Sequence, residues 1–433
     1  MVLSNSGIRK NFLREPNVGT WLPLTAILLL GIILRVLVMA VIGSARVPWE
    51  LEFEEIADNL VSHGQYYYSF YHLGSPRPTS FIPPLYPFLL AFGRYLWQAN
   101  GDWVVKSLQV VLSCSVIFSL YGLAREIGGS ARQGTLVALL WAVYPPAASY
   151  VADLSTVTLE AFFIVPAIWL VVRAGMRQSY SSAIAAGALI SLAALTRSTW
   201  LVLLPLSLAW LAWYHRHARA VMAKTVIGLG LAGLVVLSPW ITYNFRTHGT
   251  LLLTSTNGGI NFWIGNNPKA TGEYVFPTEM DQALVTSVAN WPEVPRDQFF
   301  YAQGIEFIRN SPGEFLNLAA HKLIYFFLFR PNIGSNYRAA QISLLDVASV
   351  LFVFSWLFLL PFALIGLAHV GGHWQEHMLF VLIFLSNAGV SMLYFSGTRF
   401  RTPIDGLAMI WAVMGFTTLS EKMGWRKVDA VVA

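Results

Sequence analysis

The chain has 433 residues, of which 56% are apolar and only 12% charged, with a formal net charge of +6 and a single cysteine. A soluble domain of this length would carry about twice the charge. One cysteine excludes a disulfide framework and a cysteine-based metal site, and contact with anionic headgroups accounts for the basic balance without a nucleic-acid partner.

Ten apolar runs come close to the ~20 residues that cross the hydrocarbon layer: 21–43, 104–124, 132–151, 156–174, 181–196, 199–214, 222–243, 346–370, 377–396 and 404–420. The first is too long for a signal core and lacks a small-residue cleavage pattern, so it reads as an uncleaved span. Segments 53–64, 83–98 and 315–329 are too short to span, or apolar on one face only, and read as interfacial helices. Cys114 falls inside the second span. The expected architecture is an all-α polytopic membrane protein, one domain over 1–433.

Cations set the orientation by the positive-inside rule. Arg9, Lys10, Arg14, Arg125, Arg132, Arg173, Arg177, Arg216, Arg219, Lys224, Lys422, Arg426 and Lys427 all fall on one side of the alternating spans. Both termini are therefore expected in the cytoplasm, and two long segments, 46–103 and 245–345, on the outer face. Long aromatic-rich loops are costly to order and commonly carry function. No half of the chain repeats the other, which counts against a transporter built from repeats.

The first outer segment opens Pro48-Trp49-Glu50-Leu51-Glu52-Phe53-Glu54-Glu55-Ile56-Ala57-Asp58. As a helix it stripes Phe53, Ile56, Ala57 and Leu60 along one face, with Glu52 and Glu55 at the edge of the stripe. A carboxylate half out of water there gains the basicity of a general base; the alternative is that these acids solvate an interfacial helix. The run Pro83-Pro84-Leu85-Tyr86-Pro87 then fixes a rigid, bent entry into the next helix.

Downstream, Asp153 lies in an outer turn and Glu160 just inside the fourth span, where an unpaired carboxylate is costly. Arg197 sits at an outer boundary, Arg399 and Arg401 precede the last span, and Arg35 lies within the first. Each could hold an anion or snorkel toward headgroups. The stretch Asn257-Gly258-Gly259-Ile260-Asn261, with Gly265-Asn266-Asn267, suggests tight turns needing positive φ and a polar surface; a loop that touches no ligand is the alternative. No Walker loop, dinucleotide fingerprint or spaced histidine cluster is present. No cofactor is indicated, although carboxylates leave room for a divalent metal.

These motifs, in this order, resemble the glycosyltransferase family 39-like membrane enzymes of the GT-C superfamily, relatives of the protein O-mannosyltransferases and of the lipid A aminoarabinose transferase. The resemblance rests on the Ile56-Ala57-x-Asn59-Leu60 helix end, Pro83-Pro84-Leu85-Tyr86-Pro87 and Ala194-Leu195-Thr196-Arg197. It continues through Pro239-Trp240 with Asn244, the 256–268 stretch, Pro312-Gly313-Glu314-Phe315 leading to Lys322, and Arg399-Phe400-Arg401-Thr402-Pro403. It implies a GT-C fold with an outward-facing cavity and a sugar donor carried on polyprenyl monophosphate. It further implies inversion at the anomeric carbon, in a bacterial inner (plasma) membrane. The first-loop base it implies falls best on Glu52, then Glu50, with Asp153 or Glu160 as the second acid. Arg197, Arg399, Arg401 and Lys322 are the expected phosphate ligands, and Asn257, Asn261, Asn266 and Asn267 the substrate loop. The acceptor, whether lipid, glycan or protein, is left open. A transporter or flippase of a lipid-linked glycan, or a polymerase or ligase using a pyrophosphate-linked donor, are the competing readings.

Overall fold

The computed structural model describes residues 18–42, 51–327, 342–371 and 374–423. Helix α1 (Val18–Ile42) is followed by α2 (Leu51–His63). A two-stranded antiparallel ribbon of β1 (Tyr67–Tyr68) and β2 (Arg77–Pro78) then leads to α3 (Leu85–Trp97). The bundle continues with α4 (Gly101–Glu126), α5 (Ala131–Val143), α6 (Pro145–Ser149), α7 (Val157–Arg177), α8 (Tyr180–Thr196), α9 (Leu203–Tyr214) and α10 (Arg219–His248). A second insertion carries α11 (Gly258–Gly265), α12 (Pro277–Val288), α13 (Glu293–Asn310) and α14 (Pro312–Phe327). The chain returns through α15 (Ile342–Ala368) and α16 (Trp374–Leu393), a short α17 (Thr398–Arg401) and α18 (Asp405–Lys422).

The protein is an all-α, multi-pass membrane protein. Six helical stretches among the described residues are long and apolar enough to cross a membrane, α3 with α4 and α17 with α18 each counting as one. The helices α8, α9 and 354–368 of α15 are shorter apolar helices. The expected span 132–151 is not continuous: α5 ends at Val143, Tyr144 is extended, and Pro145 and Pro146 start α6.

That break explains Arg35. Two prolines supply no N–H, so the carbonyls of Trp141 and Ala142, four residues upstream, lose their regular helical donors, and Trp141 O keeps only a longer bond from Tyr144 N at 3.3 Å. The buried Arg35 guanidinium takes their place, donating to Ala142 O at 2.9 Å and Trp141 O at 3.2 Å, with Nε on Ser113 Oγ at 2.8 Å. Arg35 is thus a helix cap inside the bundle.

Small residues set the tightest contacts. A Cβ on Gly187 of α8 would stand 2.1 Å from Leu229 O of α10, and Gly366 and Gly415 press reciprocally on the backbones of α18 and α15 at 1.9 and 2.1 Å. Such approaches favour helix pairs in lipid, where burial of apolar surface gives no preference between protein and acyl chain. The bundle packs around one apolar core. A second core lies beneath the two long segments, joining Phe53, Ile56 and Tyr86 to Trp240, Ile264 and Phe300.

Glu293 ties those segments together. It accepts Thr79 Oγ1 at 2.5 Å, Ser80 N at 2.9 Å and Thr256 Oγ1 at 2.8 Å, with His248 Nε2 at 3.5 Å. Asn244 of α10 adds a bond from Ser80 Oγ and donates to Leu252 O.

Candidate active site

Between the second core and the bundle lies a cavity of about 340 Å³. Its walls come from the start of α2 (Glu52, Phe53), the corner after α8 (Thr196 to Trp200), the approach to α11, and the ends of α16 and α17. The sequence-predicted Glu52, Glu160, Arg197, Asn257, Asn261 and Arg399 all line it.

Among the described acids of α2, Glu52 alone reaches the cavity, because its neighbours are engaged elsewhere. Arg94 gathers Glu54 at 3.6 Å, Asp58 at 2.8 Å and Asp102 at 3.0 Å. Glu55 accepts Ser69 N and Oγ at 2.7 and 2.6 Å and faces His72 Nδ1 at 3.1 Å. The stripe read from the sequence is buried as expected, with Ile56 and Ala57 inaccessible. Glu52 is half-buried at the stripe's edge. Burial, the Tyr274 phenol and the Glu52 carboxylate together keep the Tyr71 phenol protonated well above its ordinary range. Glu50 lies outside the described residues.

Glu160 is fully buried, and both of its oxygens are occupied. Thr156 Oγ1 donates to Oε1 at 2.5 Å, Arg197 Nε to the same oxygen at 2.8 Å, and Trp200 Nε1 to Oε2 at 2.6 Å. Arg197 also donates to Thr156 Oγ1 at 2.8 Å, and its guanidinium lies 5.1 Å from the Phe400 ring centre. Arg399 approaches the same ring at 5.0 Å and Tyr274 at 5.6 Å. One aromatic ring therefore serves two cations that border the cavity.

The remaining predicted residues lie outside the cavity lining. Arg401 is buried against Asp405 at 2.8 Å, donates to Phe326 O and Phe327 O at the end of α14, and stacks 3.6 Å over Trp356. Asp405 in turn accepts Tyr144 Oη at 2.7 Å, so this network joins α18 to the α5 break and α14. Lys322, whose pKa burial pushes down to about 8, donates to Asn266 Oδ1 and to Met392 O near the end of α16. Asn266 donates back to Phe262 O and forward to Leu393 O; Asn267 donates to Trp263 O and Ile264 O. Asp153 is buried, and its carbonyl accepts Gln109 Nε2 at 2.8 Å.

Gly258 and Gly259 do not make positive-φ turns; they begin α11. Glycine is required because α13 comes so close: a Cβ would meet Tyr301 Oη at 2.2 Å or Asp297 O at 1.9 Å. Asp297 Oδ1 accepts Gly259 N–H, and burial pushes the Asp297 carboxyl up to about 6.

Sequence reasoning missed the aromatic and neutral polar part of the lining. Tyr71, Tyr274, Tyr301 and Tyr394 border the cavity, with Tyr301 and Tyr394 joined through their hydroxyls at 3.0 Å. Asn387 and Ser391 enter it from α16, and as polar residues inside an apolar span they carried a readable cue. Among the described residues no three His, Cys, Asp or Glu side chains converge.

Residues 82–243 match the family described as dolichyl-phosphate-mannose-protein mannosyltransferase. No curated protein matches the chain by sequence. The structure resembles that of the Archaeoglobus fulgidus oligosaccharyltransferase in its apo form, with a TM-score of 0.58 at 14% identity over 96% of this chain and 52% of that one. It also resembles the archaeal oligosaccharyltransferase AglB from the same organism in complex with an inhibitory peptide and a dolichol-phosphate, with a TM-score of 0.57, 12% identity, and coverage of 95% and 52%. The chain spans about half the length of these structures, and the likeness is one of fold.

Proposed function

We propose that this chain, which has the GT-C fold and over residues 82–243 the sequence pattern of the dolichyl-phosphate-mannose-protein mannosyltransferases, transfers a sugar from a polyprenyl-monophosphate donor to an acceptor hydroxyl. The observation that carries this reading is the shared cavity: the one α2 carboxylate that reaches it, Glu52, and two guanidinium groups, Arg197 and Arg399, border the same space.

The chemistry needs those groups. Glu52 accepts the proton of the acceptor hydroxyl, whose oxygen forms a bond to the anomeric carbon from the face opposite the phosphate. The anomeric carbon–oxygen bond breaks, its electron pair stays on the phosphate, and configuration inverts. Arg197 and Arg399 stabilise the charge that gathers on the leaving phosphate. Glu160 is a positioning residue in this scheme: it fixes Arg197 before substrate arrives, in a site whose aromatic walls limit water. At about 340 Å³ the cavity is at the small end of ligand sites and suits one sugar with its phosphate. Arg401 and Lys322, bound to Asp405 and to backbone and amide oxygens, act in this reading as supports of the wall. The positive-inside pattern supports a cavity that opens to the outer face of the membrane, in a bacterium the periplasm; the acceptor is a lipid, glycan or protein reached from that side.

The test is transfer of labelled sugar from a panel of polyprenyl-phosphate sugars by the purified full chain in lipid, with membrane extract as acceptor. Glu52→Gln is expected to lower kcat by about 10²–10⁴-fold, the range for loss of a general base. Arg399→Ala is expected to weaken donor use without loss of thermal stability. Full activity in Glu52→Gln would remove the proposed base, and wild-type protein that moves an intact lipid-linked glycan across the membrane without transfer would replace the enzyme by a transporter.

A further inference from the structure

One wall of the cavity carries a hydrogen-bond chain that the proposed chemistry does not use. Ser198 Oγ and Ser255 Oγ are 2.6 Å apart, and Ser255 Oγ donates to Asn257 Oδ1 at 2.8 Å. All three residues line the cavity. A serine hydroxyl has one proton. Ser255 spends its proton on Asn257, so the Ser198 hydroxyl is the donor in the other link. With Asn257 Oδ1 as the acceptor, the chain runs from Ser198 to Ser255 to Asn257, and the amide oxygen is turned inward to the serine. The Asn257 Nδ2 group is left as a donor of two protons with no partner among the described residues. The serine oxygens, each with spare lone pairs, remain acceptors beside it.

Rigid backbone supports the array at both ends. Ser198 directly follows Arg197 in the turn Ser198–Val202 that links α8 to α9. Asn257 is the residue before α11, whose first turn is held by Asp297 and crowded by Tyr301. A donor and acceptors locked side by side match a sugar ring, whose hydroxyls each donate and accept. Their position, one residue from the cation assigned to the phosphate, places them on the sugar attached to that phosphate rather than on the acceptor.

We propose that Ser198, Ser255 and Asn257 form the specificity element that reads a ring hydroxyl of the donor sugar; this rests on the donor-phosphate reading of the same cavity. The experiment uses the full chain in lipid with a polyprenyl-phosphate sugar, its monodeoxy analogues at each ring position, and deoxy versions of the acceptor. Both donor binding, read by tryptophan fluorescence, and kcat/KM are measured for wild type, Asn257→Ala, Ser255→Ala and Ser255→Thr.

Wild type is expected to disfavour one deoxy donor by about 10–100-fold, as sites built to bind a hydroxyl reject analogues that lack it. Asn257→Ala and Ser255→Ala should bring that ratio close to one while ratios at other ring positions hold, and Ser255→Thr, which keeps the hydroxyl, should restore it. Unchanged discrimination in both alanine variants overturns the assignment, as does a collapse of acceptor rather than donor discrimination. A wild-type protein that neither binds nor uses any donor fails earlier, and differently, because it removes the phosphate reading on which the array depends.

Discussion

At the level of single residues, burial separates two kinds of charge that look alike in the sequence. Glu160 and Arg197 are each costly inside a membrane protein, and each makes the other tolerable. Removing one leaves the partner buried and uncompensated, typically a loss of about 3–5 kcal/mol. Glu160→Gln keeps shape and an acceptor oxygen but frees Arg197 from its counter-charge. It is therefore expected to raise donor KM more than it lowers thermal stability, whereas Glu160→Ala should raise donor KM and lower thermal stability as well; an unchanged donor KM in both variants would detach Glu160 from the positioning of Arg197. Asp297 offers a pH readout outside the spans. Its carboxyl is raised to about 6, mainly by burial, from an ordinary value of 3.8. The folded state therefore binds more protons than the unfolded state between those values, and stability falls as pH rises through that window. Asp297→Asn, which can still accept Gly259 N–H, is expected to flatten this slope, a gain on the order of 1 kcal/mol above pH 6 after solvent screening. Thermal melts at pH 4.5 and 7 would show it, and an unchanged slope would assign the pH dependence elsewhere.

At the level of elements, the helices were legible because apolar length is a coarse property, while their breaks were not. The run 132–151 reads as one span by hydropathy, yet Pro145 and Pro146 divide it, and the carbonyls they orphan are met from α1 by Arg35. Sequence reading saw an arginine in a span and offered it to an anion, since nothing local reveals a partner more than a hundred residues away. The cap predicts that Arg35→Met leaves the buried Ala142 carbonyl short of a donor, at about 1–3 kcal/mol, with Trp141 O keeping only its 3.3 Å bond from Tyr144 N, and that Arg35→Lys recovers only part of the loss because one ammonium lacks the guanidinium's fork. Melting temperature in detergent is the measurement, and an unaltered Arg35→Met would mean that water or a backbone shift satisfies those carbonyls. Gly258 and Gly259 repeat the lesson: their composition suggested positive φ, but the cause of glycine there is the approach of α13, a tertiary fact. By contrast Glu52 was half legible: the stripe of α2 puts both Glu52 and Glu55 at its edge, and only the fold turns Glu55 to Ser69 and His72 while Glu52 lines the cavity.

At the level of the whole molecule, the candidate site exists only where the two long segments meet. Glu293 accepts from Thr79 and Ser80 in the first and from Thr256 in the second, with His248 at the end of α10 beside it. It was invisible in the sequence because its partners are spread from 79 to 256. This arrangement gathers Glu52, Arg197 and Asn257 at one end of the bundle. The basic residues Arg125, Arg132, Arg216 and Lys224 lie in or next to the connections on the other side of the alternating helices. If those cations face the cytoplasm, then every segment that builds the cavity faces out. The chain's one cysteine, Cys114, is buried, so a Cys114→Ser background allows the test with single cysteines at exposed positions. His63→Cys and Thr250→Cys are expected to react with a membrane-impermeant maleimide added to intact cells, and Arg132→Cys and His217→Cys only after the membrane is opened. The reverse pattern would turn the cavity toward the cytoplasm, where nucleotide-activated sugars are at hand, and would remove the reason for a lipid-carried donor while leaving the cavity's chemistry intact.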